Sequence, residues 1–116
     1  MTRELRDYLN DIVDAMAKAL KFVEGMSYED FVNDDKTVFA VVRALEVVGE
    51  AVKNIPEDFR EKYPHIPWKD LAGMRDKLIH GYFGVDLGRV WRTVKEVIPA
   101  MKPRFDEIAQ VGGQKP

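Results

Sequence analysis

Residues 74–84 read Met-Arg-Asp-Lys-Leu-Ile-His-Gly-Tyr-Phe-Gly, and this stretch determines how the helices around it are arranged. The apolar positions before it follow a helical pattern, and Gly81 and Gly84 are expected to end that helix. The chain must therefore turn here before its last helix begins. The stretch also holds one of only two histidines, placed between an arginine and a tyrosine. It is the strongest candidate for a functional segment.

Apolar residues recur at three- and four-residue spacing along most of the chain, which predicts long helices. The predicted helices cover residues 3–25 and 35–54, then run from Trp68 to the glycines and from Leu87 onward, with short turns after Ser27 and Pro56 and a kink at Pro99. Helix starts are predicted at Ser27, at Asp34 or Asp35, and at Asp86. Short connections between long helices predict an all-α antiparallel helical bundle of three to four long helices with short connecting helices. The predicted single domain covers residues 1–111, with a flexible tail at 112–116.

The composition excludes several kinds of site. The chain of 116 residues has no cysteine, so disulfides, thiolate metal sites and cysteine nucleophiles are excluded. With only His65 and His80, a multi-histidine metal site is excluded too. We predict no metal and no cofactor. No apolar run approaches the roughly 20 residues of a membrane span, and the charged N-terminus is unlike a signal peptide, so a cytoplasmic protein without a membrane partner is expected.

The net charge of −2 hides an uneven distribution. Residues 62–104 carry nine Lys/Arg and four Asp/Glu, a net +5, whereas the remainder carries nine basic and sixteen acidic residues, a net −7. The basic excess surrounds the 74–84 stretch. Either the two regions are ordinary solvated helix faces, or the basic region binds a local anionic ligand.

On an ideal helix, Asp76 and His80 are four residues apart and share a face, so Asp76 is placed to orient the imidazole. Arg75 and His80 are five residues apart, which separates them by about 140° around the helix. They converge only through a long side chain, through a helix end loosened at Gly81, or across a two-fold dimer that brings two copies of the segment into one cleft.

Such a cleft suits RNA cleavage without a metal. The 2′-hydroxyl of the substrate is the nucleophile, and His80 can act as general base or acid. Arg75 can bind the scissile phosphate and stabilise the charge that develops in the transition state. The expected products are a 2′,3′-cyclic phosphate and a 5′-hydroxyl, and DNA should not be cleaved. A lone Arg-x-x-x-x-His on a helix is also common by chance.

Four stretches closely resemble the HepT-like branch of the HEPN superfamily. They are residues 66–68 (Ile-Pro-Trp), 73–86 (Gly-Met-Arg-Asp-Lys-Leu-Ile-His-Gly-Tyr-Phe-Gly-Val-Asp), 43–51 (Arg-Ala-Leu-Glu-Val-Val-Gly-Glu-Ala) and 90–91 (Val-Trp). The resemblance covers residues 3–110. It is far more specific than the Arg-x-x-x-x-His spacing alone.

The resemblance implies a ribonuclease toxin that acts as a homodimer in a type VII-like toxin–antitoxin system. Arg75 and His80 match the catalytic pair of the family, and Tyr82 matches the tyrosine that a minimal nucleotidyltransferase antitoxin adenylylates. Asp76 stands where the family often has asparagine. Its negative charge is expected to weaken RNA binding or to raise the pKa of His80.

RNA, either tRNA or mRNA, and the cognate nucleotidyltransferase are the predicted partners. The predicted RNA or partner contacts outside the catalytic pair are Lys77, Arg43, Glu50, Arg89 and Arg92. Two alternatives remain at this point. The chain is a non-catalytic HEPN subunit that docks a nucleotidyltransferase or a nucleotide, or it is a plain helical dimerisation domain.

Overall fold

A computed structural model describes residues 3–78 and 84–113. Its helices are α1 (Leu5–Phe22), α2 (Tyr28–Val32), α3 (Asp35–Lys53), α4 (Glu57–Glu61), α5 (Trp68–Ala72), α6 (Met74–Leu78), α7 (Leu87–Arg92) and α8 (Ile98–Gly113), with a π-helical turn, Thr93–Val97, between the last two. The prediction of an all-α helical bundle is confirmed for this part of the chain.

The core lies between the three longest helices, because α1 packs against both α3 and α8. The large side chains with almost no exposed surface are Leu9, Ile12 and Met16 from α1, Val41, Leu45, Val48 and Val52 from α3, and Ile98 and Phe105 from α8. No polar or charged side chain is buried within the described ranges. The polar side chains of that part of the chain therefore reach the surface, although one polar atom, the Arg60 Nε, is buried without a hydrogen-bond partner.

The predicted helix caps are confirmed at three positions. The Ser27 hydroxyl accepts from the Asp30 backbone N–H at 3.0 Å, and Asp86 accepts from the Arg89 N–H at 3.1 Å. Asp34 caps α3 and accepts from both the Thr37 hydroxyl and its backbone N–H. These hydrogen bonds lower the pKa of the Asp34 carboxyl because they favour its charged form.

Several predicted boundaries were wrong. Helix α1 ends at Phe22, and Gly25 lies in the turn beyond it with a φ of 76°. The predicted long helix after Trp68 is divided at Gly73 into α5 and α6. Glycine is a poor residue for a helix interior, and this one lies where the two short helices meet. The helix start predicted at Trp68 is confirmed, and Pro67 precedes it as the N-cap of α5.

A kink was predicted at Pro99, but the irregular part of the helix is the π-helical turn just before it, Thr93–Val97. The Ile98 N–H donates to the Thr93 carbonyl in the π-helical turn. A wider turn accommodates a proline, which has no N–H to donate. Helix α8 then continues past Pro103 to Gly113, so it includes the first two residues of the predicted tail. The last three residues, 114–116, lie outside the described ranges.

Helix α5 is anchored at its first residue. The Trp68 indole N–H donates to the Tyr63 carbonyl at 2.9 Å. The Trp68 ring also meets Phe105 of α8 edge-on, with 5.5 Å between the ring centroids. These two contacts hold the start of α5 against the core, and α6 follows directly from it.

The opposite end of α5 packs very closely on α3 at Gly49. A Cβ atom at Gly49 would lie 3.3 Å from the Leu71 carbonyl oxygen and 3.5 Å from that of Ala72. These are backbone atoms, which do not move aside as a flexible side chain would. Glycine at this position therefore lets the turn between α5 and α6 rest directly on α3.

We predict that Gly49→Leu lowers the free energy of unfolding by about 1–3 kcal/mol, because the new side chain must push α5 away from α3. Urea denaturation measures the change. Gly88→Ala is the matched control, since its Cβ would have no neighbour nearer than 3.7 Å, and we expect an unchanged or slightly higher midpoint. Equal midpoints for Gly49→Leu and the parent would contradict the close-packing argument.

Candidate active site

Arg75 lies on α6, with a side chain that is 49% exposed. Its Nε donates to Glu46 Oε2 of α3 at 3.3 Å. Its Nη1 lies 3.9 Å from Asp76 Oδ1. No other acidic residue within residues 3–78 and 84–113 pairs with Arg75. About half of its side chain stays exposed beside these two carboxylates, and the exposed part is accessible to an anion.

Glu46 is a site residue that the sequence did not single out. Glu46 belongs to a charged row along α3 with Arg43 and Glu50, which were predicted as RNA or partner contacts. The middle one contacts Arg75. No signal in the sequence identifies Glu46, because its contact with Arg75 depends on how closely α3 meets the turn that begins α6 at Gly49.

Within the described ranges, neither Arg43 nor Glu50 is joined to Arg75 by a hydrogen bond or an ion pair. Glu50 lies 3.6 Å from Lys53 of its own helix. Arg43 borders a groove between α1 and α3, together with Lys18 and Phe22. The prediction that these two residues are RNA or partner contacts stays a prediction.

His80 and Tyr82 lie outside the described residues, as does the predicted contact between His80 and Asp76. The ends of their segment are described. The Asp86 N–H donates to the Leu78 carbonyl at 2.8 Å, so the chain leaves α6 and returns to the same point before α7 begins. This hydrogen bond fixes the base of the excursion that contains both residues.

A second cluster of basic residues lines a groove on the other side of α6. The groove has a volume of about 370 Å³ and is lined by Pro67, Asp70, Leu71, Met74, Lys77, Leu78, Arg89, Arg92, Thr93 and Val97. Lys77 pairs with Asp70 at 3.1 Å, and Arg89 pairs with Asp86 at 3.6 Å. Three of the predicted contact residues, Lys77, Arg89 and Arg92, are thus brought together.

Arg75 and the groove therefore belong to two different faces of one short helix. Residues 75 and 77 are two apart, which is about 200° around a helix. Arg75 faces α3, and Lys77 faces α7. The structure thus separates the predicted catalytic residue Arg75 from the three predicted contacts that line the groove, and residues 79–83 follow α6 in the sequence.

Two further properties concern metals and membranes. Within the described part of the chain, no group of three or more His, Asp or Glu residues is arranged to hold a metal ion. None of the helices described there has the length and apolar character that a membrane crossing requires.

The all-α bundle agrees with the HEPN-like fold that the resemblance implies. The comparisons with known proteins agree. Residues 12–108 match the family model described as "Ribonuclease HepT-like", and the chain belongs to that family.

Similar proteins carry related names. A protein named "Probable ribonuclease HepT" from Thermococcus cleftensis is 53% identical over 108 residues, which cover 93% of this chain and 98% of that protein. A protein named "Putative RNase" from Methanocaldococcus jannaschii is 56% identical over 106 residues, 91% of this chain and 88% of that protein. Another of that name from Caldanaerobacter subterraneus is 49% identical over 105 residues, 90% of this chain and 94% of that protein. No match was found among solved structures.

Proposed function

We propose that the chain is a metal-independent endoribonuclease, and that it is the toxin of a type VII-like toxin–antitoxin pair acting on RNA in the cytoplasm. The proposal rests on the orientation and exposure of the Arg75 side chain. Its guanidinium is oriented by Glu46 through Nε and stays half exposed at the helix that leads into the His80 segment. Membership of the HepT-like ribonuclease family supports the same activity.

In the proposed reaction, Arg75 binds the scissile phosphate through its outer N–H groups and stabilises the charge that develops there. His80 takes the proton from the substrate 2′-hydroxyl, or delivers one to the leaving 5′-oxygen. The 2′-oxygen forms a bond to phosphorus as the bond to the 5′-oxygen breaks. The products are a 2′,3′-cyclic phosphate and a 5′-hydroxyl.

We propose that two copies of the chain build the cleft. The exposed side of α3 supports this arrangement. Phe39 is 76% exposed, and it begins a row that continues through Arg43, Glu46, Glu50 and Lys53. Spacings of four and three residues keep this row within an arc of about 80°. Glu46, the partner of Arg75, lies in the middle of it.

The composition of this outer row of α3 suits a two-fold interface. An exposed phenylalanine is followed by two basic and two acidic residues. In a two-fold arrangement each residue meets the same patch of the second copy, so a mixed row can pair its own charges. Phe39 supplies the apolar contact, and the interface lies beside the Arg75–Glu46 pair.

We propose that Tyr82 is the site of silencing by a minimal nucleotidyltransferase. It lies two residues after His80 in the sequence, inside the excursion whose ends meet at Leu78 and Asp86. An attached AMP brings bulk and negative charge close to the proposed phosphate site. Both would exclude RNA from it.

The catalytic roles predict that Arg75→Ala and His80→Ala each lower kcat/KM for RNA cleavage by about 100-fold or more. Cleavage of labelled RNA measures the loss, with DNA of the same sequence left intact and EDTA without effect. The matched controls are Arg104→Ala and His65→Ala, both at exposed positions, and we expect parental activity from them. Arg75→Ala should change the free energy of unfolding by less than about 1 kcal/mol, because its ion pair is half exposed.

Cleavage that survives in both variants would contradict the catalytic assignment. If the parent binds a nucleotidyltransferase or a nucleotide but cuts no RNA, the non-catalytic HEPN subunit is the correct alternative.

The silencing role predicts that the intact mass rises by one or more AMP units when the chain is incubated with the neighbouring nucleotidyltransferase and ATP. Tyr82→Phe should prevent the rise, because it removes the only acceptor oxygen at that position. Tyr28→Phe is the control, because Tyr28 is an exposed tyrosine in the described part of the chain, and we expect this variant to gain the same mass as the parent. An AMP found on a different residue would refute Tyr82 as the site.

The dimer predicts that Phe39→Asp raises the dimer dissociation constant by about 10-fold or more, because it places a charge in the apolar part of the interface. Sedimentation velocity over a range of concentrations measures it. Cleavage activity should fall in parallel at low protein concentration. Val111→Asp is the control, since Val111 is also an exposed apolar residue of a helix, and we expect it to leave the dimer intact.

A further inference from the structure

We propose that the groove between α6 and α7 is a subsite for one nucleotide of a single-stranded RNA, next to the scissile phosphate. The inference deepens the proposed ribonuclease function and rests on it. Three features of the groove carry the argument: an apolar floor, a single uncommitted cation on its rim, and its position at the end of α6.

The floor of the groove is apolar. Leu71, Met74 and Leu78 form it from α5 and α6, and Val97 forms the far wall with 37% of its surface exposed. Such an aliphatic surface offers dispersion contacts to a flat ring but no hydrogen bonds. A nucleobase is the flat part of RNA that packs on such a surface, and a contact without hydrogen bonds does not distinguish one base from another.

The rim of the groove has one cation that is available for a phosphate. Lys77 is held by Asp70, and Arg89 is held by Asp86. Arg92 is exposed and forms no ion pair within residues 3–78 and 84–113. An arginine binds a phosphate through two parallel N–H groups and also stacks on a base. Arg92 is therefore the residue that would bind the phosphate of the nucleotide.

The size and position of the groove fit one nucleotide of a longer strand. A volume of about 370 Å³ is at the lower end for small-ligand pockets. The groove is lined by Lys77 and Leu78, the last two described residues before the His80 segment. In the proposed complex, a strand whose scissile phosphate contacts Arg75 passes the end of α6 and places a nearby base in the groove.

This geometry selects single-stranded RNA. A base that stacks on the groove floor has left its own helical stack, which costs free energy in a duplex and little in a single strand. We therefore infer that the substrate is cleaved in a loop, a bulge or an unpaired end. A free nucleoside monophosphate offers the same base and phosphate as an RNA strand. The test must therefore distinguish binding of a free nucleotide from binding of a nucleotide within RNA.

The test measures KM and kcat for a single-stranded oligoribonucleotide. Val97→Trp fills the groove from its exposed wall, and Arg92→Ala removes the uncommitted cation. We expect each to raise KM about 10-fold with kcat within about 2-fold, because the subsite binds ground state and transition state alike. Val111→Trp and Arg104→Ala are matched controls on the exposed surface of α8, and both should keep the parental KM.

Substrates with a single abasic position identify the base that occupies the groove. In the parent, one abasic position next to the cleavage site should raise KM about 10-fold. In Val97→Trp the same substrate should show no further rise, because the groove is already closed. AMP, added as a competitor of the oligonucleotide, tests whether a free nucleotide also binds. If AMP competes in the parent but not in Val97→Trp, the groove also accepts a free nucleotide.

The failure of the subsite and the failure of the proposed function give different results. If the parent cleaves RNA and both groove variants keep its KM, the subsite is wrong and the ribonuclease stands. If the parent cleaves nothing, the ribonuclease proposal fails. Fluorescence anisotropy with the same oligonucleotide then tests the groove alone, and equal affinity of parent and Val97→Trp would overturn it.

Discussion

The close contact at Gly49 is the constraint on which the arrangement of the site depends. It lets the turn between α5 and α6 rest on α3 with backbone atoms 3.3 Å from where a Cβ would be. This approach places α6 within reach of Glu46, one turn before Gly49 on α3. The ion pair between Glu46 and Arg75 is half exposed and contributes little to stability. Its effect is to restrict where the guanidinium points.

The helices could be predicted from the sequence because each depends on local signals. The caps at Ser27, Asp34 and Asp86 need only a suitable side chain near the first N–H groups of a helix. The division at Gly73 could not be predicted, because an isolated glycine is tolerated inside many helices. The effect of Gly73 is decided by the packing of Gly49 of α3 against the two carbonyls that precede Gly73. That contact joins residues more than twenty positions apart.

The sequence could not predict that the candidate residues are divided between two faces of α6. Helical geometry indicated that Arg75 and His80 do not share a face, and the structure adds that Arg75 and Lys77 do not share one either. The role of Glu46 depends on how α3 meets α6, which no spacing within one helix reveals. The basic residues that are in excess over residues 62–104 are likewise divided between two places. Arg89 and Arg92 border the groove, while Arg75 lies across α6 from it.

Asp86 connects the two halves of the site. Its backbone N–H donates to the carbonyl of Leu78, the last residue of α6, and its carboxylate caps α7 at the Arg89 N–H. The first bond closes the excursion that holds His80 and Tyr82, and the second begins the helix that carries Arg92. One residue thus sets the start of α7 relative to the end of α6.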